Sequence, residues 1–224
     1  MANFFEDRAM PLSLAQLRRN YTLYGLRDDG VPADPMELFD QWLNQARKTE
    51  VPPAEANSMA LATVDRDGHA HCRMLLLKGF NAQGLFFFGH YLSAKGQELA
   101  SNPHAAMTFF WPGLERQVRV EGPVVKVDEQ LSDDYFDVRP AASQLGTWAS
   151  PQSQALSHRS ELDTRLREVT EHFAGRQPPR PEHWGGYCLQ PRRIEFWQGR
   201  PNRLHDRLDY RLHDATWQRT RLAP

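Results

Sequence analysis

The chain is poor in cysteine, poor in lysine and nearly neutral, and each shortage removes a class of function. Cys72 and Cys188 stand alone, without the paired spacing of a zinc site or the density of a disulfide scaffold. A formal net charge of −1 gives no global attraction for nucleic acid or a membrane surface, so any anion site has to be local. No apolar run approaches the length that spans a bilayer, and the first residues, MANFFEDRAM, lack the basic start and apolar core of a secretory signal. These absences predict a cytoplasmic protein with reduced thiols, no metal centre, and neither nucleic acid nor membrane as partner. Internal repeats and low-complexity segments are also missing.

What is present is an ordinary globular composition: 224 residues, 40% hydrophobic and 25% charged, enough for one large domain or two small ones. Of the 27 basic residues only Lys48, Lys78, Lys95 and Lys126 are lysines, so a lysine inside a motif hints that a compact ammonium is needed there. The densest stretch is Ile194 to Arg207, IEFWQGRPNRLHDR. Its alternation predicts a strand, a turn at Gly199, Pro201 and Asn202, and a second strand with Arg203, His205 and Arg207 on one face. Two readings fit that row: a solvated edge strand, or a site for an anionic planar ligand. From Arg192 to Arg221, eight arginines face only Glu195, Asp206, Asp209 and Asp214, which concentrates positive charge at this end.

Taken in order, the chain predicts a first helix from the capping box of Ser13 and Gln16, with Leu14, Leu17, Tyr21 and Tyr24 along one side and Gly25 as its stop. A second helix follows from Asp34 as cap, Pro35 at the first helical position, and Phe39, Trp42, Leu43 and Ala46 on one face. From Ser58 the period changes to two: SMALATVD, a DRDG turn, HAHCRMLLLK as the return strand, and LFFFGH as a third. On the return strand Arg73, Leu75 and Leu77 share one face and Met74, Leu76 and Lys78 the other. Apolar residues on both faces suit a barrel wall covered by a second layer or by a partner subunit. HAAMTFFW and RQVRVEGPVVKV add two strands, with a bulge expected near Gly122 and Pro123. Five strands in hairpin succession argue for an antiparallel barrel or sandwich.

Three further helical segments are predicted. SAKGQELASNP, capped by Ser93 with Lys95 in its first turn, fits an ordinary helix start or a phosphate cradle. In LSDDYFDVRPAAS, Ser132 is expected to cap a short helix that places Tyr135 and Arg139 on one face, ended by Pro140 with Ser143 close by. That trio fits a phosphate clamp, and a surface helix with a buried tyrosine fits equally. Ser160 to His172 forms the last helix, stopped at Gly175 and followed by the stiff linker RQPPRPEH.

Ordered along nearly the whole chain are Arg18-Arg19-Asn20-Tyr21, ADPMELFDQWL, RMLLLK, LERQVRVEG, YFDVRP, SQLGTWASPQS, HWGGY, IEFWQG, RLHDR and RLAP. In these motifs the chain resembles the pyridoxamine 5′-phosphate oxidase family. The resemblance implies a mainly β, α+β fold: an antiparallel split β-barrel over 31–224, with residues 1–30 as an N-terminal helix covering the active site. It also implies an oxidoreductase, a homodimer with flavin mononucleotide (FMN) at the subunit interface, pyridoxamine or pyridoxine 5′-phosphate as substrate, and O2 as electron acceptor. Carried over by position, Arg73, Met74, Leu75, Leu76, Leu77 and Lys78 would run beside the flavin, with Phe88 and Gly89 near it. Ser93 and Lys95 would approach its phosphate, and Gln117, Gln152, Ser153, Trp197 and Arg207 would complete the cofactor site. Lys78, Tyr135, Arg139 and Ser143 would hold the substrate phosphate. Arg203 and His205 would face the substrate ring, and Arg18 with Tyr21 would belong to the cover.

The chain departs from that pattern at Ala94, where the family usually has an arginine, and at Phe88 and Gly89, where it usually has Tyr-Thr. The loss of a charge-assisted phosphate bond is worth about 1.5–3 kcal/mol, which leaves either weaker FMN or a substitute cation. His205 fits two roles, acceptance of a proton or orientation of the substrate. A flavin reductase on the same barrel would lack the clamp of Tyr135, Arg139, Ser143, Arg203 and His205, and a carrier of pyridoxal 5′-phosphate would lack turnover.

Overall fold

The computed structural model describes residues 20–49 and 55–224. Helix α1, Pro35–Thr49, begins as its sequence dictates: the Asp34 carboxylate accepts the Met36 N–H at 2.9 Å, and Pro35 needs no partner at the first helical position. Its apolar stripe is buried, with the Phe39 ring 5.1 Å from Phe80 and 5.2 Å from Phe109, and Trp42 5.2 Å from Phe196. Burying each such ring contributes roughly 1.5–3 kcal/mol. The helix therefore plugs one face of the sheet.

Ten strands follow: β1 Ser58–Val64, β2 Ala70–Leu76, β3 Gly79–Asn81, β4 Gly84–His90, β5 His104–Trp111, β6 Arg116–Lys126, β7 Trp184–Leu189, β8 Arg193–Gln198, β9 Asp206–His213 and β10 Thr216–Leu222. All neighbours are antiparallel, in the order β10-β9-β8-β6-β5-β1-β2, and β7, β4 and β3 branch from the far end of β6. At Gly122 and Pro123 the expected bulge takes the form of a corner: β6 pairs with β8 through Glu121 and with β7 from Val124. A Cβ at Gly122 would lie 2.0 Å from the Gln190 carbonyl oxygen, so only glycine lets the chains cross there. The result is a curled, split barrel. Among the described residues no helix is long and apolar enough to cross a membrane.

Helices α2 Ala94–Ser101, α3 Glu129–Asp137, α4 Ala141–Ala149 and α5 Arg159–His172 lie between the strands. Several sequence expectations need correction here. The first predicted helix lies outside the described residues up to 19, and its remaining end, Tyr21 to Gly25, is not helical. Side chains at and beside the strand ends take the backbone groups of this segment and of Leu26 instead: Glu115 accepts from Leu23 N–H at 3.1 Å, Asp206 from Leu26 N–H at 3.0 Å, and Arg200 donates to the Tyr24 carbonyl at 3.1 Å. Asp128, not Ser132, caps α3, accepting the Leu131 N–H at 2.8 Å, while Ser132 is buried inside the helix and accepts the Gly186 N–H at 3.1 Å. HWGGY forms most of β7, a fully buried strand without alternation, which gives periodicity nothing to detect. The second strand of IEFWQGRPNRLHDR starts only at Asp206. Arg203 and His205 therefore sit in the turn before β9, where Asn202 and Arg203 take positive φ of 57° and 62°.

Candidate functional site

A cavity of about 500 Å³ opens between the β2 end, β4, α2, α3, α4 and β7. Nine of the residues singled out from sequence line it: Leu75, Lys78, Phe88, Gly89, Lys95, Tyr135, Arg139, Ser143 and Gln152. At one end lies the Lys95 ammonium, 6% exposed, donating to Ser93 Oγ at 2.9 Å and Gln152 Oε1 at 2.7 Å. It forms no ion pair among the described residues. Burial, with the Arg73 charge second, pulls its pKa down to about 8. Arg73 does not reach the cavity, because its guanidinium is tied to the buried Glu98 at 2.8 Å and to Thr63. Ser93 stands at the N-terminus of α2, but its hydroxyl donates to the His90 carbonyl at 2.6 Å and caps nothing. The first-turn N–H groups of α2 have no intrahelical acceptors, so the helix end adds partial positive charge beside Lys95. Gly89 makes room for this arrangement, since a Cβ there would sit 2.6 Å from Lys95 Cε.

At the other end the Arg139 guanidinium lies 4.7 Å over the Trp184 ring and donates to Thr147 Oγ1 at 2.6 Å. It has no carboxylate partner among the described residues, and burial lowers its pKa. Tyr135 stacks on Phe88 with ring centroids 4.0 Å apart, and exposed Lys78 and Ser143 flank the opening. One cavity thus carries two cationic ends, with no carboxylate among the described residues that line it. Trp184 and Thr147, which hold Arg139, were not singled out from sequence as site residues; the HWGGY motif is the only trace of the tryptophan.

The other sequence candidates gather elsewhere. Gln117 on β6 pairs across the sheet with Trp197 on β8, which pairs with Arg207 on β9. His205 lies against the Trp197 ring at 4.6 Å, and Tyr21 makes edge contacts with both at 5.7 and 5.9 Å. Tyr21 packs so closely on Gly199 that a Cβ there would be 2.7 Å from its Cγ. His205 Nδ1 accepts the Arg200 N–H at 3.1 Å, which leaves Nε2 carrying the ring's hydrogen, and burial with the nearby Arg203 charge lowers its pKa. None of Tyr21, Gln117, Trp197, Arg203, His205 and Arg207 lines the cavity of the same chain. Ser153, exposed with φ of 72°, and Met74, 64% exposed, also lie off it, and Leu77 is core. Leu76, half-buried at the end of β2, does not line it. Arg18 is outside the described residues.

The predicted field of free arginines is largely neutralised. Arg207 is gripped by both oxygens of Glu195, at 2.8 and 3.0 Å, and Arg193 and Arg211 share Asp209 at 2.6 and 2.8 Å. Arg221 pairs with Asp28 and Asp206, and Arg200 with Asp206. Long-range partners such as Asp28 and Glu121 lie outside the stretch from 192 to 221, where a local charge count cannot see them. Exposed Arg203 has no ion pair among the described residues.

A split antiparallel barrel of this topology defines the structural class. A pyridoxamine 5′-phosphate oxidase-related, FMN binding protein from Nostoc punctiforme superposes on it with a TM-score of 0.67 over 83% of this chain and 97% of its own, at 18% identity. PhzG from Burkholderia lata, solved in complex with tetrahydrophenazine-1-carboxylic acid, gives 0.83 over 89% and 98%, at 31% identity. In sequence, the family described as pyridoxamine 5′-phosphate oxidase matches residues 45–173, and the pyridoxine 5′-phosphate oxidase C-terminal dimerisation region matches 184–224. Pyridoxine/pyridoxamine 5′-phosphate oxidases of Pseudomonas paraeruginosa and Pseudomonas fluorescens are each 60% identical over 96% of this chain and their whole length. The chain belongs to the pyridoxamine 5′-phosphate oxidase family.

Proposed function

We propose that the protein is a cytoplasmic, homodimeric, FMN-dependent oxidase that converts pyridoxamine 5′-phosphate and pyridoxine 5′-phosphate to pyridoxal 5′-phosphate. The observation that carries this reading is the cavity with two unneutralised cationic ends. A phosphate monoester bears about −1.5 to −2 charge at pH 7, so two such ligands require two separate cradles. The Lys95 end fits the FMN phosphate: a buried ammonium with no ion pair among the described residues, Ser93, Gln152 and a helix N-terminus. When bound, FMN would supply the two-electron acceptor, reoxidised by O2 to give H2O2. The amine substrate would also take up water and release ammonia.

The chain's own residues bind and orient. Arg139 and Lys78, with the hydroxyls of Tyr135 and Ser143, hold the substrate phosphate, and Trp184 fixes the guanidinium plane. His205 presents an Nε2–H and is kept neutral by burial and Arg203, which favours a positioning hydrogen bond over proton acceptance. Arg203, exposed and without an ion pair among the described residues, is the cation suited to the substrate ring face. Because Trp197, Arg203, His205 and Arg207 do not line their own chain's cavity, a twofold pair in which each copy completes the other's site accounts for them. Exposed apolar side chains at Met74 and Phe110 support such pairing, as does the matched dimerisation region. Residues 1–30 serve as a cover, consistent with Tyr21 lying on His205 and Trp197. Free thiols at Cys72 and Cys188 suit a reducing compartment.

The test is flavin content followed by H2O2 release on addition of pyridoxamine 5′-phosphate. Yellow protein with one FMN per chain and equal yields of H2O2 and pyridoxal 5′-phosphate is expected. Arg139→Met should raise KM far more than it alters flavin content. A flavin-loaded protein that yields no H2O2 with either substrate refutes the oxidase.

A further inference from the structure

His90, the last residue of β4, lines the same cavity and is 7% exposed. Its Nδ1 accepts the Leu92 N–H at 3.1 Å, so the remaining ring nitrogen is the polar atom it can offer to the cavity. The ring stacks on His183, just ahead of β7, with centroids 4.3 Å apart and an angle of 28°. His183 Nε2 is itself buried without a hydrogen-bond partner. Among the described residues, the titratable and charged groups that act on His90 are His183, just ahead of β7, and Lys95 of α2. The first turn of α2 carries no cation beyond Lys95, since position 94 is an exposed alanine. Burial first, then His183 and the Lys95 charge, hold the His90 imidazole down at about 4, so it is neutral. An anion at Lys95 removes one of those penalties and adds an acceptor for an imidazolium.

We propose that His90 is a second phosphate-binding side chain at the Lys95 end of the cavity, taking up a proton from solvent as the cofactor's phosphate monoester arrives and supplying the cation that Ala94 does not. The inference rests on the assignment of the Lys95 end to FMN. It makes His90 a determinant of cofactor affinity and gives that affinity a pH dependence of its own. The direction is fixed: a group whose pKa rises on binding favours the complex increasingly as pH falls below the bound-state value.

The experiment is a flavin-fluorescence titration of the full chain, stripped of flavin, with FMN and with riboflavin between pH 5.5 and 8.5. His90→Asn keeps an acceptor for the Leu92 N–H and removes the imidazole, while His90→Gln keeps a neutral donor near the Nε2 position. For FMN the wild-type advantage over His90→Asn should be roughly tenfold at the acid end and shrink toward pH 8.5, as expected for a charge-assisted bond. The phosphate's own ionisation near pH 6 is common to both proteins and cancels in the ratio. Riboflavin, lacking the phosphate, should bind both proteins equally, and Ala94→Arg should restore FMN affinity to His90→Asn. Calorimetry in two buffers of different ionisation enthalpy should show more proton uptake by wild type than by either His90 variant. A ratio near one at every pH, or riboflavin weakened as much as FMN, overturns the assignment, and a pH-independent ratio overturns proton uptake. Lys95→Met separates the two layers: if it leaves FMN affinity intact, the placement of the cofactor phosphate is wrong; if it weakens FMN while His90→Asn does not, only the inference about His90 falls.

Discussion

Glu195→Gln isolates the contribution of a single buried charge. The carboxylate is 3% exposed, holds Arg207 at 2.8 and 3.0 Å, and lies 3.5 Å from both Arg119 and Arg193. Those arginines have other anions: Arg119 keeps Glu121 at 2.7 Å, and Arg193 keeps Asp209 at 2.6 Å. Among the described residues Arg207 has no second ion pair and retains only the Ala223 carbonyl at 2.8 Å. Glutamine preserves volume and one acceptor oxygen, so neither a cavity nor a lost neutral bond enters; what disappears is the charge. Two ion-paired bonds to a carboxylate become at most one ion–dipole bond to an amide oxygen, and water reaches Arg207, a quarter of whose side chain is exposed, so the net loss is about 2 kcal/mol. For a domain of this size that corresponds to a fall in Tm of roughly 4–8 °C. A double-mutant cycle with Arg207→Gln should return a coupling on the order of 1–2 kcal/mol. FMN retention should fall in both single variants, because an arginine released from its fork no longer holds one direction. Additive stability effects, or Glu195→Gln melting within a degree of wild type and keeping its flavin, refute the account of Arg207 as a guanidinium held in place by Glu195.

Two further outcomes follow from groups at the site. Lys95 has its pKa lowered to about 8 by burial and the Arg73 charge and would regain a higher value beside a phosphate, so binding takes up protons above that pH; FMN affinity should weaken by up to about tenfold per pH unit between pH 8 and the bound-state value, and lose this limb in Lys95→Met, as read by flavin titration. His205→Ala should leave FMN bound and lower the rate of anaerobic flavin reduction at every pH without removing a limb of the profile, since Nδ1 is already occupied by the Arg200 N–H; loss of one limb would make it a proton acceptor after all.

Sequence legibility followed the range of the interactions. Asp34 with Pro35, the DRDG turn with Gly68 at φ 86°, and the strand HAAMTFFW are set by neighbours a few residues away, and they stand where periodicity and capping put them. The end of the first predicted helix failed because Glu115, Asp206 and Arg200, far along the chain, claim its backbone groups. Arg203 and His205 look like strand residues by alternation, but positive φ at two successive positions breaks the period before β9 can begin. The cavity was legible only as separate pieces. Tyr135, Arg139 and Ser143 are local to α3 and α4, and Lys95 to α2, but nothing in spacing says that β7 brings Trp184 between them. A lone histidine closing an apolar strand carries no pattern, so nothing in the sequence marks His90.

The distribution of charge also fixes what a single chain lacks. Arginines that are already paired, such as Arg193, Arg211 and Arg221, serve the sheet, whereas Lys95, Arg139 and Arg203 have no carboxylate partner among the described residues and are groups that gain from an incoming anion. Lys95 and Arg139 share one cavity; Arg203 does not line it. If a second copy supplies Arg203, His205, Trp197 and Arg207 to that cavity, cofactor affinity and association are linked, and FMN stabilises the pair by mass action. Dilution of holoenzyme into the range where sedimentation detects monomer should release FMN along the same curve, and added FMN should shift the curve to lower protein concentration. Arg207→Ala should weaken both transitions together. Monomer that retains FMN at full affinity would show that one chain completes its own site, and the residues around Trp197 would then need another role.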